Sequence, residues 1–222
     1  MTDTPNKTSS GYAKSILKEA FSQISARLGL FWIGVIAVLA VFAPFIASSH
    51  PYLMRTDAGI SSPLLQPLSP ADVIIVVFFV TVVILAYLKR HTGFNLLVLL
   101  SVLIISSALS FLLVKPPQLI VYDQYREMER SGKIEWVINA PIPYSAKDYL
   151  RDYGETGMQT PLSQSARESE RTHWFGTEQS GADVLSRMIH ASRIALAIGF
   201  IATGIAMLIG VILGGLMGYY SG

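Results

Sequence analysis

Few residues in this sequence have the types and spacing that chemistry needs. Four histidines, His50, His91, His173 and His190, are scattered along 222 residues. No two have the HExxH or comparable spacing that sets metal ligands on one helix face, and they read as interfacial or loop residues. Asp183, Ser186 and His190 are the residue types of a hydrolytic triad. They fall within about two turns of one helix, whereas a triad works through convergence of separate segments, so a surface-facing polar stripe explains them better. Glu127, Glu129, Glu168 and Glu170 stand among arginines on polar segments and read as solvated charge, not as a general acid and base. There is no GxxxxGK[ST] loop to cradle a nucleotide phosphate. Cysteine is absent, which excludes thiol nucleophiles, disulfides and Cys-ligated zinc together. The pattern is that of a non-enzyme with no catalytic residue, cofactor or metal of its own.

The elements that carry these residues are set by lipid. The chain is 51% hydrophobic and 14% charged, with a mean hydropathy of +0.47, which is far from the usual balance of a soluble domain. A net charge of +2 provides no basic field for nucleic acid, so none is expected as a partner. Four apolar runs, Leu28 to Ala47, Val73 to Leu88, Phe94 to Val114 and Ile194 to Tyr220, contain no Asp, Glu, Lys or Arg. A charge at mid-bilayer costs roughly 2.5 to 3.5 kcal/mol, so uncharged runs close to the roughly 20 residues needed to cross are read as spans. The expected fold is an all-α integral membrane protein with four transmembrane helices, at 28–47, 73–88, 94–114 and 193–220. The second run is the shortest, and a re-entrant or core helix is its alternative. The first run is longer than a signal-peptide core and follows a polar stretch with Asp3 and Glu19, which favours an uncleaved anchor. An intramembrane enzyme is disfavoured, because such chemistry needs ionisable groups inside the spans.

Orientation follows from the short loops. Lys7, Lys14, Lys18 and Arg27 precede the first span, and Lys89-Arg90-His91 joins the second to the third. Basic residues stay on the cytoplasmic side, so both termini are expected there and 115–192 outside. Within 1–27, Ile16, Leu17, Ala20, Phe21 and Ile24 share a helical face, as in a cytoplasmic interfacial helix or a plain extension of the span. Pro44 is expected to kink or end the first span.

The 115–192 segment has the composition of a small extracytoplasmic α+β insertion. Gln118 to Arg130 reads as a helix closed by Gly132, and Ile134, Trp136 and Ile138 alternate as a strand. Pro141-Ile142-Pro143 forces extended chain, Ser145 caps a helix through Leu150, and Gly154 to Thr172 reads as a mobile loop. A helix is expected to begin near Gly181, capped by Thr177 or Ser180, with Asp183 and Arg187 as an i,i+4 pair. It is expected to lie on the outer membrane surface and turn at Ser192-Arg193 into the fourth span, with Trp174 and Phe175 at interfacial depth. In that span Ala202, Ala206, Gly210, Gly214 and Gly218 recur every four residues. Such a face lets backbones approach, so tight packing against another helix is expected.

The run HWFGTEQSGADVLSRMIHASR from His173 to Arg193, followed by a span ending GVILGGLMGYYSG, resembles the signature of the oligopeptide, dipeptide and nickel permease family of ABC importers. That signature usually has FGTD and GRD, where this chain has Glu178 and Ala182. PYLMRTD after the first span and EWVINAPIPYS in the insertion resemble the branch that imports microcin C and oligopeptides. The second and third spans have no counterpart in the likeness. The resemblance implies a pore subunit of a type I ABC importer in the cytoplasmic (inner) membrane. Its partners would be a second homologous permease, ABC ATPase subunits that bind the ATP, and an extracytoplasmic solute-binding protein, with peptide, microcin-like, opine or nickel cargo. It points to Trp174, Phe175, Gly176, Thr177, Glu178, Gly181, Asp183 and Arg187 as gate or partner contacts, and leaves Ala206, Gly210, Gly214 and Gly218 as packing positions. Family members continue past GYY-Gly into further spans and an ATPase-docking loop, so this stretch alone is expected not to transport. The rival expectation is a membrane-anchored extracytoplasmic binding or sensor module.

Overall fold

A computed structural model describes residues 19, 21–57, 59–88, 92–115, 117, 120–154, 157–165 and 168–220, with only the backbone described at 92, 165 and 168–170. The amphipathic reading of 15–28 and the basic loop at 89–91 fall largely or wholly outside them. The chain divides into two compact units, residues 1–38 and 39–222. Among the described residues four helices are long and apolar enough to cross a membrane: α1 (Ile24–Ile46), α2 (Pro70–Leu88), α3 (Thr92–Leu113) and α5 (Val184–Tyr220). The chain is thus a largely helical membrane protein with a small sheet region, as the uncharged runs imply.

Between the helices the chain builds a polar module. It contains β1 (Leu53–Thr56), β2 (Gly59–Ser61), α4 (Gln124–Arg130), β3 (Ile134–Ile138), β4 (Ser163–Ser165) and β5 (Glu168–His173). β1 is the middle strand of an antiparallel sheet in the order β2-β1-β3. The alternation at 134–138 therefore does form a strand. Two other expectations fail. Gly154 to Thr172 contains the β4–β5 hairpin rather than only loop, its backbone ladder forming without an apolar pattern. No helix follows Ser145: its N–H donates to Ser49 Oγ and its own Oγ accepts from the Ser49 N–H, at 2.8 and 2.9 Å, and the only helical turn there is the 3-10 turn Leu150–Tyr153. The helix before Gly132 is also shorter than expected, starting at Gln124.

The second unit has its apolar core where the module meets the helix ends. Ala43 and Ala47 of α1, Ile142, Tyr144 and Leu150 of the module and Ile189 of α5 are buried together, with Ile46 and Leu185 packed against them. Small side chains at 43 and 47 let the other elements approach the α1 backbone. Ile142, flanked by two prolines that have no N–H, donates its own N–H to Ile46 O and accepts from Ser48 N–H, both at 3.0 Å. The proline pair thus leaves one donor in that stretch, and it closes an α1 carbonyl.

Two ionic clusters hold this arrangement. Arg126, 1% exposed, gives a two-pronged contact to the fully buried Asp148 at 2.7 and 2.9 Å and another to Asp123 at 2.7 Å. Burial is the largest single influence and alone would lower the guanidinium pKa, but the hydrogen bonds and charges of Asp148 and Asp123 together outweigh it and hold it above its ordinary range. Asp148 also accepts from Ser49 Oγ, so the turn after α1 is sewn to the module.

The second cluster lies at the helix ends. Pro44 sits inside α1, and having no N–H it leaves the carbonyl four residues back, that of Ala40, without its helical donor. Arg193 supplies the donor: Nε bonds Ala40 O at 2.5 Å and a terminal nitrogen bonds Val41 O at 3.1 Å. Its other terminal nitrogen pairs with Asp72. Asp72 is the third residue of α2, where Ser69 caps the helix. The Asp72 carboxylate takes the Ser69 N–H and Oγ at 2.8 and 2.7 Å, and Ser69 Oγ accepts from Asp72 N–H at 3.3 Å, a reciprocal capping box with Pro70 at the first helical position.

His50 lies in the loop after α1, as one of the two expected placements has it, but is buried there, with its ring 5.1 Å from that of Tyr125. Burial lowers its pKa from the ordinary 6.5 and outweighs the opposing field of Asp148. The unfolded chain then binds more protons than the folded one as pH falls. The stability that neutral His50 confers is complete above about pH 6.5 and is lost as pH drops through the lowered folded-state value. We predict that the protease-resistance midpoint of the module falls between about pH 7.5 and 5, and that His50→Asn flattens that slope.

Candidate functional site

The motif residues form the joint between the module and α5. Asp183 is the N-cap of α5. Its Oδ2 accepts the Ser186 N–H at 2.8 Å, and its Oδ1 accepts from His173 Nδ1 at 3.0 Å. Both partners of the His173–Asp183 pair are essentially fully buried, and the Tyr144 ring stacks on His173 at 4.2 Å. One carboxylate therefore satisfies a helix end and fixes the strand that leads into the motif. The expected caps, Thr177 and Ser180, serve elsewhere. Thr177 pairs with Asp183 in an isolated antiparallel bridge and its Oγ1 accepts the Gln159 N–H at 2.9 Å, while Ser180 Oγ donates to Glu178 at 2.5 Å.

Several surface readings are corrected by this burial. Asp183 and Ser186 are enclosed, so they form no solvent-facing stripe. His190 Nδ1 bonds the Ser186 carbonyl, a contact within its own helix that gives no triad. The i,i+4 pair of Asp183 with Arg187 does not form, because Asp183 is taken by His173 and Arg187 pairs with Glu178. Glu129 is paired too, with Arg171 at 2.7 Å, while the side chains of Glu168 and Glu170 lie outside the described residues. Ala182, where the family signature has arginine, is fully enclosed.

Gly176 and Gly181 are required by geometry. Their φ values are +76° and +83°. A Cβ on Gly176 would strike the Gln159 carbonyl, and one on Gly181 would lie 2.8 Å from Arg151 N. Trp174 and Phe175 remain about half exposed at the module surface. Glu178 and Arg187, with Ser180, Tyr149, Arg151 and Asp152, line an open concavity of about 440 Å3. Tyr149 and Asp152 also line a neighbouring hollow of about 420 Å3 with Tyr122, Tyr153 and Lys147. Sequence reading singled out Glu178 and Arg187 but missed Arg151, Asp152 and the tyrosines, which only the 3-10 turn at 150–153 brings beside the motif.

The helix after the joint does not turn. α5 runs unbroken for 37 residues, about 55 Å at 1.5 Å per residue, against a hydrocarbon core of about 30 Å. Ser192 bonds back to Ile189 O at 2.6 Å within the helix, and Arg193 reaches sideways to α1 and α2 instead of opening a bend. Beyond Ala197 every described residue of α5 is exposed. Ala206 lies on this stretch, and Gly210, Gly214 and Gly218 meet nothing within 4 Å among the described residues.

In sequence, part of the chain is similar to permease subunits of ABC transporters. The chain is 33% identical over 97 residues to the inner membrane ABC transporter permease protein YejE of Escherichia coli strain K12, covering 44% of this chain and 25% of that protein. It is 37% identical over 81 residues to the glutathione transport system permease protein GsiD of Pectobacterium atrosepticum, covering 36% of this chain and 24% of the relative. It is 50% identical over 50 residues to the dipeptide transport system permease protein DppC of Bacillus subtilis, 22% of this chain and 16% of that one. The chain thus spans a quarter or less of the length of these curated relatives. No protein-family model matches it, and no solved structure does so.

Two glycine substitutions separate the joint from the bare helix. Gly176→Ala meets both strain and a backbone clash and should destabilise the module by at least about 2 kcal/mol. Gly210→Ala in the same chain should leave it unchanged. Thermal unfolding in detergent micelles, read by near-ultraviolet circular dichroism, checks both.

Proposed function

We propose that this chain is part of the pore-forming permease subunit of an ABC importer for peptides or peptide-like solutes in the cytoplasmic membrane. Its N-terminus would be cytoplasmic and its module outside. The observation that carries the reading is the similarity to permease proteins from several bacteria, in a chain whose helices fit a multi-pass membrane subunit. The resemblance of 51–57 and 135–145 to the microcin C and oligopeptide branch supports a peptide-like cargo. Energy would come from separate ATPase subunits, as the family resemblance implies.

In this reading the joint transmits position. The module is fastened to the first turns of α5 by Asp183, and α5 continues rigidly into the membrane, so a partner that docks on the module acts on a lever with no hinge at 192–193. The Tyr149, Arg151, Asp152, Glu178 and Arg187 surface has the aromatic and mixed-charge character of a protein contact and is the proposed seat of the solute-binding protein. The small-residue face of α5 would pack against other helices of the pore. A display anchor for a sensor would not need such a face.

The test is uptake of labelled oligopeptides by cells carrying the intact locus. Deletion of the gene is expected to abolish ATP-dependent uptake. Arg151→Glu combined with Asp152→Lys, at exposed positions outside the core, is expected to lower uptake at least tenfold with unchanged membrane abundance. Undiminished uptake in the deletion strain would refute the permease reading, and normal uptake in the double variant would remove the docking role from this surface.

A further inference from the structure

The register of the three-stranded sheet collects apolar side chains on one uncovered face. Leu53 pairs with Ile138, and two residues on, Arg55 pairs with Trp136 on one side and Ile60 on the other. Side chains two apart along a strand share a face, so these five residues form two adjacent rows. Leu53, Ile60, Trp136 and Ile138 are 39, 66, 38 and 49% exposed. On the opposite face Met54 is buried. The sheet therefore turns one side to the core and leaves an apolar side bare, with Arg55 in its middle, already paired with Glu135 at 2.9 Å.

We propose that this face lies on the lipid headgroup layer at the membrane surface where α1 ends. The argument is continuity. Tyr52, next to Leu53, donates its hydroxyl to Phe45 O in the last turn of α1 at 2.6 Å, and its N–H bonds Ile138 O at 2.8 Å. The Leu53–Ile138 row is thereby held at the exit of a span. The other end of the excursion is held as well, since Ser62 Oγ bonds Tyr52 O at 2.7 Å and α2 re-enters at Pro70.

The distances fit. A two-residue step along a strand is about 7 Å, and each headgroup zone is about 5 to 8 Å deep. With the Leu53–Ile138 row at the hydrocarbon edge, even upright strands put the Trp136 row only about one headgroup layer above it, and any tilt brings it closer. The composition fits too. Tryptophan with an apolar body beside it is the side chain that membrane interfaces select, and an arginine among such residues can point its head to lipid phosphate.

The experiment uses the full chain in vesicles of phosphatidylethanolamine and phosphatidylglycerol. Trp32→Phe with Trp174→Phe leaves Trp136 as the single reporter. Its emission is expected to fall about twofold when the lipids carry bromine near the glycerol end of the acyl chains, since a headgroup-level ring is within collision range. The fall should be smaller with bromine near the terminal methyl. Equal emission in brominated and plain vesicles would overturn the proposal, as burial under another protein or exposure to water would produce.

A second reading does not touch the tryptophans. The sequence has no cysteine, so Ile60→Cys accepts a single nitroxide label at an exposed position. Relaxation dominated by oxygen, which concentrates in lipid, is the expected result. Relaxation dominated by aqueous chromium oxalate would overturn the assignment even if the tryptophan variant failed to fold.

Discussion

A proline inside a membrane helix leaves a carbonyl that must find a donor, because hydrocarbon offers none. In this chain Pro44 creates that vacancy at Ala40, and Arg193, far along the sequence, fills it while pairing with Asp72. Three helices are tied at one point, each for its own reason. α1 regains a hydrogen bond, α2 has its capping carboxylate neutralised, and α5 has a charged residue satisfied without bending. None of the three groups would be tolerable near lipid alone. Most of the remaining architecture follows from this meeting of helix ends.

The module is built outward from the same point. The turn after α1 is sewn to Ile142, Ser145 and Asp148, and the start of α5 is capped by the carboxylate that holds His173. A buried ion pair adds little net stability over an apolar pair of the same shape, but leaving one partner alone is costly. Arg126 with Asp148 thus acts mainly as a device of specificity, and with the buried His173–Asp183 hydrogen bond it makes alternative seatings of the module expensive. That rigidity is what a partner-docking element on a continuous helix would require.

The spans were legible from their lack of charge, because lipid penalises charge irrespective of tertiary context. The strand at 134–138 was legible from period-two alternation, and the family likeness from the residues around Phe175 to Arg187. The pairings that hold the site together were not. Asp183 and Arg187 stand four apart and invite an ion pair, yet Asp183 is claimed by His173 from another element, and nothing local announces the competitor. Arg193 read as the end of a surface helix because its partners, Ala40 and Asp72, are more than a hundred residues away. The β4–β5 hairpin escaped notice since its strands are polar on both faces and carry no periodic signal.

The most direct measurement is the coupling between Arg193 and Asp72. Arg193→Ala, Asp72→Ala and the double variant can be compared for reversible unfolding in lipid bicelles. If the two side chains share one knot, the cycle should return a favourable coupling of about 1 to 3 kcal/mol. Additive effects, within about 0.5 kcal/mol, would contradict the account and leave the helix ends to be organised by something else.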